Sequence, residues 1–493
     1  MLKLKNAILL NNKLNKILNN KNSNEFINAI NSLHIVKFHN DYLINQKFFY
    51  KNIFILIIQF FYNCAFGTIK WIFKLLENYY FFIVNTKSFF DKKKDIIFIS
   101  FIQNLNFNKS KNDFIYGKIF PFIKSKYKNT KILYLNLTTI NSIKLSNHYK
   151  NKLYIFDNIL FIKDEIIILY WQFLQLKIFF FDFLLKRKIS VVFYIRIIIS
   201  IFTYQTKNNL RYLYQFKNLF LTNKIQVAFS TFEGHAWEKL FFFSSKLNKY
   251  KTRVFAYQHS GILGNKQLWL KKFKFNEFSP DLILTCGNIN KKKLVKYNKI
   301  FMNKVKVVGT YKNINRNFKK SKHILKDINC LVCPEGTITE TKFLFKYAFD
   351  IARISPDIKF ILRAHPLLEI NNFINKYFDK DSGNSLSNVE LSENDFEHDL
   401  NKSNVILFRG SYSVISGLLH HLIPVYYNGI KNDFDINPIQ DSNIKTFKVK
   451  TINNFVDLLN NKSFLKYKSY NSGKIYAKNF FTSYNQKKII NLI

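Results

Sequence analysis

At 493 residues, of which 48% are hydrophobic, the chain is too long for one ordinary core, so we expect two domains. Its formal net charge of +45 would suit a nucleic-acid-binding protein. The lysines, however, are scattered through Asn-rich turns, and 55 Phe beside only 13 Gly indicate a bias towards A/T-rich codons. We therefore do not expect nucleic acid as a partner, but attraction to an anionic membrane surface stays open.

Cysteine usage indicates a reducing compartment. Four cysteines in a chain of this length do not form a disulfide framework. Cys330 and Cys333 have CxxC spacing, but no second pair completes a zinc site. They also lie in an apolar run typical of a strand, where residues three apart point to opposite faces. We therefore expect buried core cysteines and a cytoplasmic protein.

Two apolar segments, 52–73 and 189–202, come closest to membrane character. The first holds a Gln and an Asn, and the second contains Arg196 and is too short to span a bilayer. The opening residues, 1–20, have Lys or Asn between their apolar runs, unlike a secretory signal. We expect buried helices at both segments, with peripheral contact at the inner face of the cell membrane left open.

Residues 1–90 have a helical, irregular pattern and no readable chemistry. From residue 91 onwards, short buried strands alternate with connectors of the length that a parallel crossover needs. A helical insertion interrupts the series over 158–222. The strands predicted in this first domain, 91–315, are 95–101, 131–137, 152–156, 225–230, 253–258, 281–285 and 305–309.

A charged, strand-poor segment, 315–327, marks the expected boundary with a second domain, 325–493. The strands predicted there are 329–333, 358–362, 404–408, 423–427 and 444–450, with helical segments between them. Strands that alternate with helices imply a parallel sheet covered on both faces. The sequence therefore predicts an α/β protein with two Rossmann-like, doubly wound domains facing a cleft, and a helical N-terminal extension.

Polar residues follow two strands of the second domain, at the edge where open α/β sheets bind ligands. Glu335 and Gly336 lie in a turn that leads from the first strand into a helix. Arg363, His365 and Pro366 follow the next strand. Arginine pairs with phosphate oxygens, and a histidine can donate to a phosphate or protonate a leaving group. Both strand ends are therefore candidates for nucleotide binding.

A third strand end carries Arg409, Gly410, Ser411 and Ser413. Ser411 is the predicted N-cap of the following helix, so the two serines and the first-turn amides would form a phosphate cradle. A capped helix with a solvated arginine is the alternative explanation. Three strand ends on one edge that all offer Arg, His, Ser or Gly favour a site for a nucleoside mono- or diphosphate.

Two strand ends of the first domain offer acid–base chemistry. Glu233 and His235 follow one strand, and His259 follows the next. A carboxylate and an imidazole at neighbouring strand ends are candidate general bases for a hydroxyl group, although a histidine after a strand is often a capping group. Glu238, one helical turn further on, is expected to face solvent or to pair with Lys239.

Together these motifs resemble the bacterial surface carbohydrate biosynthesis proteins over roughly residues 225–430, in the succession FEGHAWEK, YQHSGI, CPEGTITE, LRAHP and RGSYSVISGLLHHLIPV. An HP motif followed by a strand and an S-x-S turn is also similar to bacterial sialyltransferases and polysialyltransferases, Kdo transferases and CDP-glycerol glycerophosphotransferases. These are two-domain GT-B transferases with cytidine-activated donors. The resemblance implies a GT-B-like fold and an inverting glycosyltransferase that needs no metal or other cofactor.

The resemblance also implies roles for the second-domain residues. His365 and Pro366 would bind the phosphate of a CMP donor. Ser411 and Ser413 would hold that phosphate alongside Arg409.

For the base, the resemblance leaves two candidates. Glu233 falls on the acidic position of the family's D/E-D/E-G motif, but Phe232 stands where the family has the first acidic residue. His259 occupies a place like the histidine of the glycerophosphotransferases and competes for the role. No DxD metal motif lies in a suitable turn, so protein cations and helix dipoles would stabilise the leaving phosphate.

The sequence thus predicts a cytoplasmic glycosyltransferase, with peripheral contact at the inner face of the cell membrane left open. It would move a nonulosonic acid or Kdo-type sugar from a CMP-linked nucleotide-sugar donor to a glycan or lipid-linked glycan acceptor of a surface polysaccharide. A CDP-alditol phosphotransferase and a non-catalytic membrane-surface scaffold of glycan assembly stay open as alternatives.

Overall fold

In the computed structural model of the chain, two parallel sheets follow one another along the sequence. The structure describes residues 16–18, 24–30, 34, 53–84, 96–102, 113–137, 155–156, 160, 162–185, 191–261, 267, 269–271, 273–311, 328–366, 368, 370–378, 386–429, 435–440, 442–461, 464 and 470–493. The predicted boundary segment, 315–327, lies outside the described residues. The division into 1–90, 91–315 and 325–493 therefore stays a prediction.

The first sheet has seven strands in the order β3-β2-β1-β4-β5-β6-β7, all paired in parallel. They are β1 Ile96–Ile102, β2 Thr130–Asn136, β3 Ile155–Phe156, β4 Val227–Thr231, β5 Arg253–Gln258, β6 Leu282–Thr285 and β7 Val305–Val307. Each overlaps a strand predicted from the sequence. The central β1 is buried along its whole length, as expected for a parallel sheet with both faces covered.

The second sheet has six parallel strands in the order β10-β9-β8-β11-β12-β13. They are β8 Ile328–Cys333, β9 Ile358–Leu362, β10 Val389–Leu391, β11 Val405–Phe408, β12 Ile423–Tyr427 and β13 Phe447–Val449. Sequence analysis missed only β10 among these, because this edge strand is three residues long and has no apolar run. The strand order reverses between β8 and β11, as it does between β1 and β4 in the first sheet, and such reversals are where doubly wound sheets bind ligands.

Helices cover both sheets. They are α1 Glu25–Ala29, α2 Ile53–Val84, α3 Ile119–Lys126, α4 Ile162–Leu185, α5 Val191–Ile201, α6 Tyr204–Thr222, α7 Ala236–Lys246, α8 Asn288–Tyr297, α9 Ile338–Ile354, α10 Ile370–Tyr377, α11 Phe396–Lys402, α12 Ser413–Leu419, α13 Ile452–Asn460, α14 Tyr470–Phe480 and α15 Gln486–Ile490. The helices α4, α5 and α6 confirm the predicted helical insertion. Two doubly wound parallel sheets with a helical N-terminal region confirm the predicted GT-B-like α/β class.

A layer of long helices lies beside the first sheet, where α2, α4, α5 and α6 contact one another. The buried side chains of Arg211 and Glu165 form an ion pair between α6 and α4. The same carboxylate accepts a hydrogen bond of 2.8 Å from Trp71 Nε1 of α2. None of the helices that the structure describes is long and apolar enough to cross a membrane.

The end of the chain returns to the first sheet. After α14, Ser483 pairs with Thr310, and Thr310 N donates to Thr482 O at 2.8 Å. A Cβ on Gly309, whose φ is +86°, would lie 2.3 Å from the Ser483 carbonyl oxygen, so this approach requires glycine. Further on, Ile489 is buried in the core of the first sheet.

The prediction of core cysteines is confirmed. Cys330 and Cys333 are buried on opposite faces of β8, in different hydrophobic clusters, and neither forms a disulfide. Burial raises the pKa of the Cys333 thiol to about 12, so it is protonated at neutral pH.

Candidate active site

The two candidate bases predicted from the sequence lie next to each other. Glu233 follows β4 and His259 follows β5, and His259 Nδ1 is 3.4 Å from Glu233 Oε1. The second carboxylate oxygen of Glu233 is 3.2 Å from His235 Nε2, and the Ser260 hydroxyl lies 3.5 Å from Oε1. Because neighbouring parallel strands end at the same edge, residues 26 positions apart form one acid–base group.

Glu238 organises the turn that carries this group. Its buried carboxylate accepts hydrogen bonds from the backbone N–H groups of Glu233, Gly234 and His235, and from the Thr231 hydroxyl. The expectation that Glu238 faces solvent or pairs with its neighbour is therefore wrong. Burial raises the pKa of this carboxyl, which its donors oppose. The spacing of His235 and Glu238 is that of a capping box, a signal that could have revealed the role.

We expect Glu238→Gln to lower the free energy of unfolding by about 2–3 kcal/mol, because an amide nitrogen cannot accept from the N–H groups that now meet a carboxylate. Urea unfolding at constant m-value measures this loss. Glu277→Gln, at an exposed position, is the matched control and should change stability by less than about 0.5 kcal/mol. Equal stability of the two variants would show that Glu238 does not hold the turn.

A buried aspartate after β1 supports the same edge. Asp113 accepts from the Ser100 hydroxyl at 2.7 Å and from the backbone N–H of Tyr116 at 2.8 Å. Burial raises the pKa of Asp113, and these hydrogen bonds oppose the shift. The adjacent Phe114 packs edge-on against the His259 ring, with centroids 5.7 Å apart. Sequence analysis missed Asp113, since no motif surrounds it.

In the second sheet, the strand ends after β8, β9 and β11 lie at one edge. Cys333 pairs with Phe408, and Val332 pairs with Leu362, so the residues that follow these strands emerge side by side. The three predicted nucleotide-binding turns are therefore adjacent in the fold. Two of these turns follow β8 and β11, the neighbouring strands between which the strand order reverses.

His365 lies against the turn after β8. A Cβ on Gly336 would be only 2.9 Å from His365 Nδ1, so the absence of a side chain lets the ring approach the backbone. Burial lowers the pKa of His365, which keeps the imidazole neutral at neutral pH. A neutral ring can donate through one nitrogen and accept through the other. Of the neighbouring residues, Glu335, which precedes Gly336, is buried, and Pro366, which follows His365, is exposed.

The Arg363 side chain is held by residues on α11 and just before it. Its Nη1 donates to Asp399 Oδ2 and to the Asn394 carbonyl, both at 2.6 Å. The guanidinium also lies over the Phe396 ring, 5.3 Å from the centroid. These contacts tie the end of β9 to α11. They hold the guanidinium in place at the strand end, and its contact with phosphate stays a prediction.

Arg409 is buried as well. Its Nη1 is 2.8 Å from Glu340 Oε2, and each side chain is 2% exposed. The other carboxylate oxygen of Glu340 accepts from the Gly410 backbone N–H at 3.2 Å. The alternative of a solvated arginine is therefore wrong. The ion pair fixes the turn after β11, and Glu340, which sequence analysis missed, carries that function from α9.

The serine turn differs from the prediction by one position. Tyr412, and not Ser411, is the N-cap residue of α12, and its side chain makes no capping hydrogen bond. The Ser411 hydroxyl donates to Ser413 Oγ at 3.0 Å and accepts from the Ser413 backbone N–H at 3.3 Å. Both serines and Gly410 remain together at the end of β11.

Tyr412 connects the two sheets at the site. Its hydroxyl donates to the Gly261 carbonyl at 2.5 Å, two residues after His259. A Cβ on Gly261 would lie 2.7 Å from Tyr412 Cε1, so glycine is needed for this contact. The acid–base group of the first sheet and the serine turn of the second are therefore joined through two adjacent loops. Within the part of the chain that the structure describes, no group of three His, Cys, Asp or Glu side chains could hold a metal ion.

The fold and these strand-end residues define a GT-B-like α/β protein with a candidate site between its two sheets. No family model matches the chain, and no curated protein matches it. The chain is similar to a glycosyltransferase from Rickettsia africae, with 11% identity over 81% of this chain and 98% of that chain and a TM-score of 0.43. It is similar to UDP-GlcNAc 2-epimerase from Neisseria meningitidis bound to UDP-GlcNAc, with 12% identity over 80% of this chain and 98% of that chain and a TM-score of 0.43. It is also similar to MurG from Acinetobacter baumannii, with 11% identity over 81% of this chain and 99% of that chain and a TM-score of 0.41.

Proposed function

We propose that this protein is a glycosyltransferase that moves a nonulosonic acid or Kdo-type sugar from a CMP-linked donor to a surface polysaccharide acceptor. The observation that carries the proposal is the Glu233–His259 pair, joined through the Gly261–Tyr412 hydrogen bond to the serine turn of the second sheet. A general base and a phosphate-binding turn on facing sheets are the two parts that transfer to a hydroxyl group requires.

The proposed reaction uses each part once. The Glu233–His259 pair takes the proton of an acceptor hydroxyl, whose oxygen then forms a bond to the anomeric carbon of the sugar. The bond from that carbon to the phosphate oxygen breaks, and CMP leaves with both electrons. Ser411, Ser413 and the neutral His365 donate hydrogen bonds to the leaving phosphate, and they supply the electrostatic stabilisation.

Cytidine as the donor base rests on the motif resemblance, so it needs a direct test. Calorimetric titration with CMP, CDP, UDP and GDP should show tightest binding for a cytidine nucleotide. A preference for UDP or GDP would overturn the donor assignment and leave the fold unaffected. The same titration with the Tyr412→Phe variant tests whether the hydrogen bond from Tyr412 to Gly261 contributes to nucleotide binding.

A CDP-alditol phosphotransferase is the second candidate, favoured by the contact between His259 and Glu233 at the position where glycerophosphotransferases have a histidine. Donors radiolabelled in the sugar of CMP-linked compounds or in the alditol phosphate of CDP-linked compounds separate the two reactions. The label that enters polymer identifies the activity. If alanine at both Glu233 and His365 left glycan production intact, a non-catalytic scaffold would be the better explanation.

We expect His365→Ala to weaken nucleotide binding by about 10–100-fold, the loss that accompanies removal of a hydrogen bond to a charged group. Gly336→Ala should weaken it by about tenfold, because the new Cβ displaces the His365 ring. Isothermal titration measures both. His398→Ala, at an exposed position on α11, is the control. Unchanged dissociation constants for His365→Ala and Gly336→Ala would remove this edge from the proposed donor site.

The proposal includes peripheral contact with the inner face of the cell membrane, because a net charge of +45 favours attraction to an anionic surface.

A further inference from the structure

The long helix α2 exposes a continuous apolar face. From Ile58 to Leu76, large hydrophobic side chains recur at spacings of one, three and four residues and point to solvent. Phe61 is 65% exposed, Phe73 is 68% exposed and Leu76 is 61% exposed. The opposite face of the helix packs inward, since a Cβ on Gly67 would lie 2.5 Å from the Phe202 carbonyl oxygen. The exposed stripe is about 27 Å long at 1.5 Å per residue.

The helix α4 repeats this pattern. Ile162, Ile166, Tyr170 and Phe173 are each at least 60% exposed, and their spacing places them on one face. The two stripes belong to one helical layer, because the Phe202 ring contacts both the Phe173 ring and a phenylalanine ring of α2, each at 5.8 Å. More than half of the large hydrophobic side chains that are exposed in the described residues lie on these two helices, which we call the α2/α4 face.

Positive charge accompanies the α2/α4 face. Lys163 and Lys177 are exposed at the two ends of the α4 stripe, and Lys177 follows Phe173 at i+4. Of the two acidic residues in the first turn of α4, Glu165 is buried in its pair with Arg211 and Asp164 is partly buried. On α2, the Lys70 Nζ lies 4.5 Å from the ring centroid of Phe66, one of the exposed side chains of the stripe. Long lysine side chains beside apolar surface extend their ammonium groups towards lipid phosphates.

We propose that the α2/α4 face lies on an anionic lipid bilayer, with both helices in the plane of the interface and the lysines at the headgroups. A second copy of the chain fits this surface poorly, because a symmetric contact would bring the same lysines together in a protein of net charge +45. The biological use of this surface rests on the proposed function, since it would bring the site to a lipid-linked acceptor. Lipid binding itself is measured without donor or acceptor, so either proposal can fail alone.

The test is sedimentation of the full-length protein with vesicles of phosphatidylcholine alone or with about 30% phosphatidylglycerol. We expect strong binding only to the anionic vesicles. Phe61→Ser/Phe73→Ser/Phe173→Ser should weaken it by at least about 100-fold, since each phenylalanine loses its burial in lipid. Lys163→Gln/Lys177→Gln should weaken it by at least about fivefold. The matched control, Phe343→Ser/Ile354→Ser/Ile475→Ser, removes exposed hydrophobic side chains elsewhere and should bind like the parent protein.

Three results would overturn the proposal. The parent protein could fail to bind anionic vesicles, or the control could lose binding as strongly as the α2/α4 variant. Thirdly, sedimentation velocity could show that the α2/α4 substitutions convert an oligomer to a monomer without affecting vesicle binding, which would make this face a contact between copies. Circular dichroism melts establish that each variant is folded, and nucleotide titration establishes that the distant site is intact.

Discussion

Glu233→Gln is expected to lower the turnover number by about 10²–10⁴-fold, the contribution that a general base makes to transfer from a hydroxyl group. The substitution keeps the shape of the side chain and removes only its ability to take a proton. The 21%-exposed carboxylate is accessible to an acceptor, and its contacts with His235, His259 and Ser260 hold its position. Donor hydrolysis or transfer, followed with a labelled CMP-linked sugar, measures the loss.

A set of three variants assigns the base within the pair. If Glu233 takes the proton, Glu233→Gln should cost more than His259→Asn, and if the imidazole takes it, the order should reverse. In either case the double variant should be about as slow as the slower single variant, because residues that act as a unit are not additive. Nucleotide affinity should be unchanged in all three, since the proposed donor turns lie on the other sheet. Full activity in both single variants would refute the role of the pair.

Glu340→Gln is expected to lower the free energy of unfolding by about 3–5 kcal/mol, because it leaves the Arg409 guanidinium charged and buried without its carboxylate. The Gly410 N–H keeps an acceptor only if the new amide oxygen faces it, so the turn after β11 should also loosen. Nucleotide binding should therefore weaken together with stability. Urea unfolding followed by circular dichroism measures the first effect, and calorimetry measures the second.

Two controls accompany this prediction. Glu390→Gln breaks the exposed Lys402–Glu390 pair, whose side chains are 47% and 45% exposed, and should cost less than about 1 kcal/mol. Replacing both buried partners, as in Arg409→Met/Glu340→Leu, should restore much of the stability, because no charge is then left without a partner. A loss below about 1 kcal/mol in Glu340→Gln would mean that the buried pair does not hold the turn.

Sequence analysis predicted the sheets well because their strands are short, apolar runs buried on both faces. It missed β10, an edge strand of three residues without an apolar run, because such a segment has the same pattern as a loop. It could not predict contacts between side chains that are far apart in the sequence. The pairing of Arg409 with Glu340 joins residues 69 positions apart, and that of Tyr412 with Gly261 joins residues 151 positions apart. No local spacing encodes such contacts.

The two errors at the site have local causes instead. Glu238 follows the turn at the position of an ordinary surface residue of a helix, and only the capping geometry shows that the turn folds around it. Ser411 satisfies the composition of an N-cap, but the chain enters α12 one residue later, at Tyr412. In contrast, the prediction that Glu233 and His259 share an edge needed only the order of two parallel strands.

The return of the chain to the first sheet has a consequence for biosynthesis. Tyr484 and Ile489 belong to the hydrophobic core that also contains β1 and β4, although they are made after every strand of both sheets. When the ribosome has translated β7, the core of the first sheet therefore still lacks the side chains of Tyr484 and Ile489. Nascent chains stalled before residue 482 should expose the apolar surface that these two side chains cover to chaperones. That surface is covered only after residues 482–489 have left the exit tunnel.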